Sequence, residues 1–275
     1  MKGHSAFAAG NVAVITGGAD GIGYAAAQYF LSIGMRVCIA DINGERLQEV
    51  AGNRENLIAI ETDVSQLTEV QALKDKVYER FGQVDVLMNN AGTGRPSGSW
   101  SGHQEWQDTL NINLWGVING VHTFTANMIA QGTPALIINT GSKQGITCPP
   151  GNPAYNVSKA AIKAVTESLQ HELRNTENCM ITAHLLVPGF TYTGMIRQFL
   201  PEKPDDAWTS EQVVEFMVQS VIRGDFYILC PDNDITREVD NKRMAWAMGD
   251  LVENRPPLSR WHPDYQQAFE DYMKS

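Results

Sequence analysis

Thr16-Gly17-Gly18-Ala19-Asp20-Gly21-Ile22-Gly23 follows directly on the apolar run Val12-Ala13-Val14-Ile15 and leads into a helical stretch predicted from Tyr24. Glycines at 17, 21 and 23 let a backbone turn tightly and come close to a pyrophosphate. The helix that follows then offers free N–H groups and a partial positive charge. A phosphate loop after the first strand predicts an open, doubly wound sheet rather than a closed (β/α)₈ barrel. The competing reading is a glycine-rich turn that only closes a strand–helix unit, and the residues around the loop decide between them.

Further β-branched apolar runs recur along the chain. They are Met35 to Ala40, Leu57 to Ile60, Val84 to Met88, Ala135 to Ile138, Ile181 to Val187 and Phe226 to Leu229. Near-continuous apolar strands suit a parallel sheet covered on both faces. The intervals Ser65 to Phe81 and Pro153 to Leu173 are long enough for crossover helices, with Ser65 and Pro153 as start signals. Strand and helix alternate without a repeat or linker, which predicts one Rossmann-type α/β domain over 1–275. Asp41 closes the second run, where a carboxylate can bind both ribose hydroxyls and repel a 2′-phosphate. Asp20, Ala40 and Ile42 leave no nearby cation to invite that phosphate, so the expected cofactor is NAD rather than NADP. Asp41 could also cap the helix opening near Asn43-Gly44.

Composition narrows the function classes. Lys and Arg number 21 against 31 Asp and Glu, a net charge of −10, with no basic block. Nucleic acid is therefore not an expected partner, because that binding rests on clustered positive charge. No apolar run reaches the ~18 residues of a membrane span, and Ala6-Phe7-Ala8-Ala9 is too short for a signal-peptide core. A cytoplasmic protein without membrane contact is the expectation. The four cysteines at 38, 148, 179 and 230 form no C-x-x-C pair or Cys/His cluster, so neither disulfides nor a metal site are expected.

Tyr155 is the only one of eight tyrosines with a lysine four places on. At that spacing Tyr155 and Lys159 share a helix face. Ser142 lies upstream, just past the fifth strand, near the sheet edge where ligands bind. Oxidising an alcohol needs a base for the hydroxyl proton, and the reverse needs an acid. A phenol of pKa ~10 serves poorly unless charge helps it. An ammonium about 4 Å away, at an effective dielectric of ~20, contributes at most ~4 kcal/mol, about three pKa units. Lys159 can thus make Tyr155 a usable acid–base, while Ser142 holds the substrate oxygen. Taken singly, each residue reads as a surface lysine, an interfacial tyrosine and a strand-end serine.

Together the motifs resemble the short-chain dehydrogenase/reductase (SDR) family in its single-domain, NAD-preferring branch. The residues that carry the resemblance are Thr16 to Gly23, Asp63-Val64, Asn89-Asn90-Ala91-Gly92, Asn113, Ser142, Tyr155-x-x-x-Lys159 and Pro188-Gly189, in the family's order and spacing. The resemblance implies a seven-stranded parallel sheet of order 3-2-1-4-5-6-7 with helices on both faces. It implies cofactor contacts from Gly17, Asp20, Gly21, Ile22 and Gly23. Others are implied from Asp41, Asp63 and Val64 (adenine), Asn90, Tyr155, Lys159, Thr191 and Thr193. It implies catalysis by Asn113, Ser142, Tyr155 and Lys159, with Asn113 supporting a water relay to the lysine. Members assemble as dimers or tetramers, so a homodimer or homotetramer is implied.

The expected reaction is hydride transfer between NAD(H) and a secondary alcohol or ketone. Pocket walls are expected from Arg95 to Trp100, Lys143 to Gly151 and Phe190 to Leu200. Trp100, Phe190, Met195 and Phe199 then suggest an apolar, cyclic or aromatic substrate, with Gln144 bonding a polar substituent. Residues 190–212 are expected to form a substrate lid. Residues 231–275 form a C-terminal extension, expected to pack on the domain or on a neighbouring subunit. The alternatives are an inactive NAD-binding regulatory protein and an SDR-type epimerase or dehydratase. Both sit poorly with intact Asn113, Ser142, Tyr155, Lys159, glycine loop and Asp41.

Overall fold

The structure, a computed structural model, describes residues 4–275. Seven strands form one parallel sheet: β1 (Val12–Thr16), β2 (Arg36–Asp41), β3 (Leu57–Glu61), β4 (Val86–Asn89), β5 (Ala135–Thr140), β6 (Ile181–Val187) and β7 (Tyr227–Leu229). Their order is β3-β2-β1-β4-β5-β6-β7, the Rossmann arrangement expected. The helices are α1 (Gly21–Ser32), α2 (Gly44–Ala51), α3 (Leu67–Phe81), α4 (His103–Leu110), α5 (Gly116–Ala130), α6 (Gln144–Thr147), α7 (Pro153–Asn175), α8 (Gly194–Arg197), α9 (Ser210–Arg223), α10 (Arg237–Val252) and α11 (Gln266–Lys274).

The strands read as unbroken apolar runs because both faces are buried. In β1, Ala13 and Ile15 pack into one core with Phe30, Met217 and Val221. Val12 and Val14 point the other way, into a core with Leu73, Phe124 and Leu173. The same alternation continues in β2 and β5, as the two-residue period of a strand requires. Chain order reverses direction across the sheet between β1 and β4, which opens a crevice beyond their carboxyl ends.

Two helix starts differ from the boundaries read in the sequence, and a third agrees. α1 begins at Gly21 rather than Tyr24, because the Asp20 carboxylate caps it by accepting from Gly21 N–H at 2.6 Å. The last two glycines of the loop are thus inside the first helical turn. α3 begins at Leu67, capped by Gln66 rather than Ser65. The Ser65 N–H is already taken by the Asp63 carboxylate at 2.9 Å, which makes a tight turn ahead of the helix. α7 starts at Pro153 as expected and is capped by Asn152. Among the described residues no helix is long and apolar enough to cross a membrane.

Asp85 is a buried carboxylate whose Oδ2 accepts from Val12 N–H and Gln83 Nε2, both at 2.7 Å. It closes the entry of the central strand. Asp85→Ala strands the Val12 donor and should cost about 1–3 kcal/mol, read as a lower urea midpoint at an unchanged m-value.

Candidate active site

The carboxyl ends of β1, β4, β5 and β6 open into a cavity of about 590 Å³. Its walls bring together most of the residues singled out from sequence. Gly17, Asp20, Gly21, Ile22, Asp41 and Asn90 line one end. Ser142, Gln144, Tyr155 and Lys159 line it further along, and Thr191 and Thr193 come from the segment above. Gly23, Asp63, Val64 and Asn113 stand outside this lining.

At the nucleotide end, the loop has room only for glycine at two places. A Cβ on Gly17, whose φ is +64°, would come within 2.8 Å of Ala91 Cα. One on Gly23 would collide with the Gly17 carbonyl. The first-turn N–H groups of Ile22 and Gly23 have no helical carbonyl to bond and face the crevice with the dipole of α1 behind them. Asp41 braces the same end. Its Oδ2 accepts from Ala19 N–H and its Oδ1 from Asn43 N–H, each at 3.1 Å. Asn43, not Asp41, caps α2. Asn90 ties β4 to the loop by donating to the Thr16 and Gly17 carbonyls at 3.2 and 3.4 Å.

At the other end, Tyr155 and Lys159 lie one turn apart on α7, with the ammonium 5.6 Å from the phenol ring centroid. Lys159 Nζ donates to the Thr140 carbonyl at 2.8 Å. Burial pushes the lysine down to about 8, so it stays mainly an ammonium at neutral pH. Burial also pushes the Tyr155 phenol up, and a hydrogen bond with the Ser142 hydroxyl pulls the other way. Burial and that hydrogen bond therefore oppose one another at this oxygen, and burial is the larger, so the phenol stands above its ordinary value. Asn113 is fully buried in a π-helical turn, Asn111–Trp115, that joins α4 to α5. Its Oδ1 accepts from Thr93 N–H at 2.7 Å, and its Nδ2 donates to the Thr93 carbonyl and to Ser158 Oγ. Such wide turns concentrate at functional sites.

The roof is the stretch from Phe190 to Phe199. Phe190, Met195, Ile196 and Phe199 face the cavity. Arg197 of α8 reaches the Asp20 carboxylate at 2.6 Å, and Thr191 bridges to Trp208. Trp100, expected on a wall, is instead 95% exposed, and Arg95 pairs with Asp108. Gly94 lines the cavity in that place, and Ser97 Oγ donates to Asn152 of the same wall at 3.1 Å. Cys148, expected on the same wall, faces the far side of α6.

Sequence reasoning placed Lys143 on the pocket wall, where it lies, but missed Asp232 and Asp240 and their pairing with it. Lys143, beside Ser142, lies 3.3 Å from Asp232 and 2.7 Å from Asp240, both from the chain beyond β7. Asp232 also accepts from Phe190 N–H at 3.1 Å and so joins the serine loop, the roof and the extension. No local motif marks this contact, since its partners lie far apart in sequence.

The model of the short chain dehydrogenase family matches residues 11–204. The chain belongs to this family. A 3β-hydroxysteroid dehydrogenase 2 of Eggerthella lenta is 33% identical over 199 residues, covering 70% of this chain and 75% of that protein. A CLA biosynthesis dehydrogenase/reductase of Lactiplantibacillus plantarum is 31% identical over 272 residues, covering 96% and 92%. A short-chain dehydrogenase/reductase of Burkholderia phymatum, solved in complex with NAD, superposes with a TM-score of 0.81 at 31% identity, over 91% of this chain and 97% of that one. Enzymes of the short-chain dehydrogenase family are oxidoreductases that use a nicotinamide cofactor on small molecules. The site fits such a group, with a side-chain-free loop and helix N-terminus for the pyrophosphate and a carboxylate at the end of β2. Among the described residues no cluster of His, Cys, Asp or Glu could hold a metal.

A lysine depressed in the folded state binds fewer protons than in the unfolded chain between pH ~8 and ~10.5, so its burden on stability eases as pH rises through that window. Lys159→Met should therefore unfold at higher urea than the native chain at pH 7. Denaturation at pH 7 and pH 10 should show that advantage shrinking.

Proposed function

We propose that this chain is an NAD-dependent dehydrogenase/reductase acting on a secondary alcohol or ketone of apolar, cyclic or aromatic character. The observation that carries the reading is one cavity holding Asp41 at one end and the Ser142–Tyr155–Lys159 group at the other. Gly17, Gly21, Ile22 and Gly23 would hold the pyrophosphate. Asp41 would bind the adenosine ribose, Asp63 and Val64 would flank the adenine, and Asn90, Thr191 and Thr193 would contact the rest. Bound NAD supplies the electron-pair acceptor, a cationic nicotinamide ring.

Ser142 holds the substrate oxygen, and Tyr155 takes its proton in oxidation or returns it in reduction. Lys159 would do two things: bind the nicotinamide-side ribose, and place a positive charge one turn from a phenol that burial pushes up. A bound cationic nicotinamide would favour the phenolate in the same sense. Asn113 fixes the turn beside Lys159 and supports the path by which the proton leaves.

Residues 190–212 act as the substrate lid, and Arg197–Asp20 is the contact that closes it over the glycine loop. Gln144 bonds a polar substituent of the substrate, whose apolar body meets Phe190, Met195 and Phe199. The extension over 231–275 completes the single domain by packing on the serine loop. The enzyme works as a homodimer or homotetramer in the cytoplasm.

A panel of secondary alcohols and ketones, read by reduced-nicotinamide absorbance with each cofactor, tests the reading. On any substrate it reveals, Tyr155→Phe should lower kcat by about 10²–10⁴-fold with NAD affinity retained. Near-native turnover would remove the acid–base role. Asp41→Ala should narrow the ratio of kcat/KM for NAD over NADP by about tenfold or more, and steady-state kinetics with both cofactors would read it.

A further inference from the structure

A second cavity, of about 440 Å³, lies behind α6. Gln144 at the start of that helix faces the first cavity, whereas Ile146, Thr147 and Cys148 face the second. The opposite wall comes from α10 and the turn after it, with Trp246, Leu251, Leu258 and Trp261. Three arginines also reach this space. Arg255 is matched: it pairs with Asp250 at 3.1 Å and lies 4.1 Å from the Trp246 ring centroid.

Arg243 and Arg260 are not matched. Among the described residues neither guanidinium has a carboxylate within ion-pairing distance, and the Arg243 Nε is buried without a hydrogen-bond partner. The carboxylate nearest in effect, Asp240, sits 2.7 Å from Lys143. Burial holds Arg260 below its usual range, repulsion from Arg243 adds to this and Asp240 offsets part of it, so the two half-buried cations share one space. Arg260 stacks at 4.7 Å over Trp261 and 5.3 Å over Phe269, which fixes its plane and leaves its N–H edge to bond elsewhere.

A chain of net charge −10 has carboxylates to spare, yet the one in this lining, Asp250, is bonded to Arg255 and Ser259, and none among the described residues ion-pairs with Arg243 or Arg260. Burying like charges together is costly unless something of opposite sign completes them. Two guanidinium forks converging on one space fit an oxyanion, and indole and aliphatic walls fit an apolar body. We propose that this cavity is a binding site for an amphipathic organic anion, a carboxylate on an aromatic or aliphatic body, clamped by Arg243 and Arg260. It is separate from the dinucleotide crevice and does not depend on which cofactor or alcohol that crevice takes.

The probe is naphthalene-2-carboxylate, titrated calorimetrically into the full chain saturated with NADH, beside the uncharged naphthalene-2-carboxamide. One site per chain is expected, with the carboxamide weaker by about tenfold or more. Arg243→Met and Arg260→Met should each weaken the carboxylate by a similar factor, Arg243→Lys should lose less, and NADH affinity should stay within about twofold. Equal binding of carboxylate and carboxamide, or unchanged binding in both Met variants, would overturn the proposal. So would Met variants that alter the association state in sedimentation while the native chain binds no carboxylate, because a second copy would then be the occupant. If Arg243→Met proves too unstable to purify, the native chain decides: its preference for the carboxylate must exist and must fall with added salt.

Discussion

The buried ammonium of Lys159 sets the terms for everything around it. A cation can stay in that position only if the surrounding backbone accepts its protons, and the Thr140 carbonyl at the end of β5 does so at 2.8 Å. That requirement fixes α7 against the sheet edge and thereby fixes Tyr155 one turn earlier. The same burial that strengthens the lysine's field also opposes ionisation of the phenol. The protein spends stability to hold both groups dry, a trade found where strained or desolvated residues serve chemistry.

Around this pair the molecule is organised as two ends of one crevice. The nucleotide end is built from backbone: a loop whose Gly17 and Gly23 admit no side chain, and a helix terminus whose donors point outward. The chemical end is built from side chains held by other side chains, as Asn113 is by Ser158 and Thr93. Backbone cradles tolerate little substitution, whereas the roof is held at its base by bonds from Phe190 and Tyr192 to Trp208 and Asp232, and over the glycine loop by the exposed pair Arg197–Asp20. An ion pair so exposed is worth little energetically and is readily broken, which suits a cover that must open.

Most of the architecture was legible because it rests on short-range rules. Apolar runs marked all seven strands, and the loop after β1 identified the open sheet. Tyr155 and Lys159 were visible through their four-residue spacing. Boundaries slipped where a side chain intervened locally: Asp20 draws α1 back to Gly21, and Asp63 takes the Ser65 donor and delays α3. Trp100 was misread because an aromatic residue near a pocket was assumed to face it, while its side chain stands in solvent. The π-helical turn at Asn113 carries no periodic signature. Asp232 and Asp240 were invisible as partners of Lys143 because their meeting depends on how the tail folds back.

Both carboxylates that neutralise Lys143 come from beyond β7. Domains acquire structure from the N-terminus onward as the ribosome extends them. On a nascent chain, then, the segment bearing Ser142 can join a nearly finished sheet while its neighbouring lysine is still hydrated and uncompensated. Charge balance arrives only when the stretch beyond β7 emerges and docks, so a segment made well after Ser142 is what completes the centre at the heart of the fold.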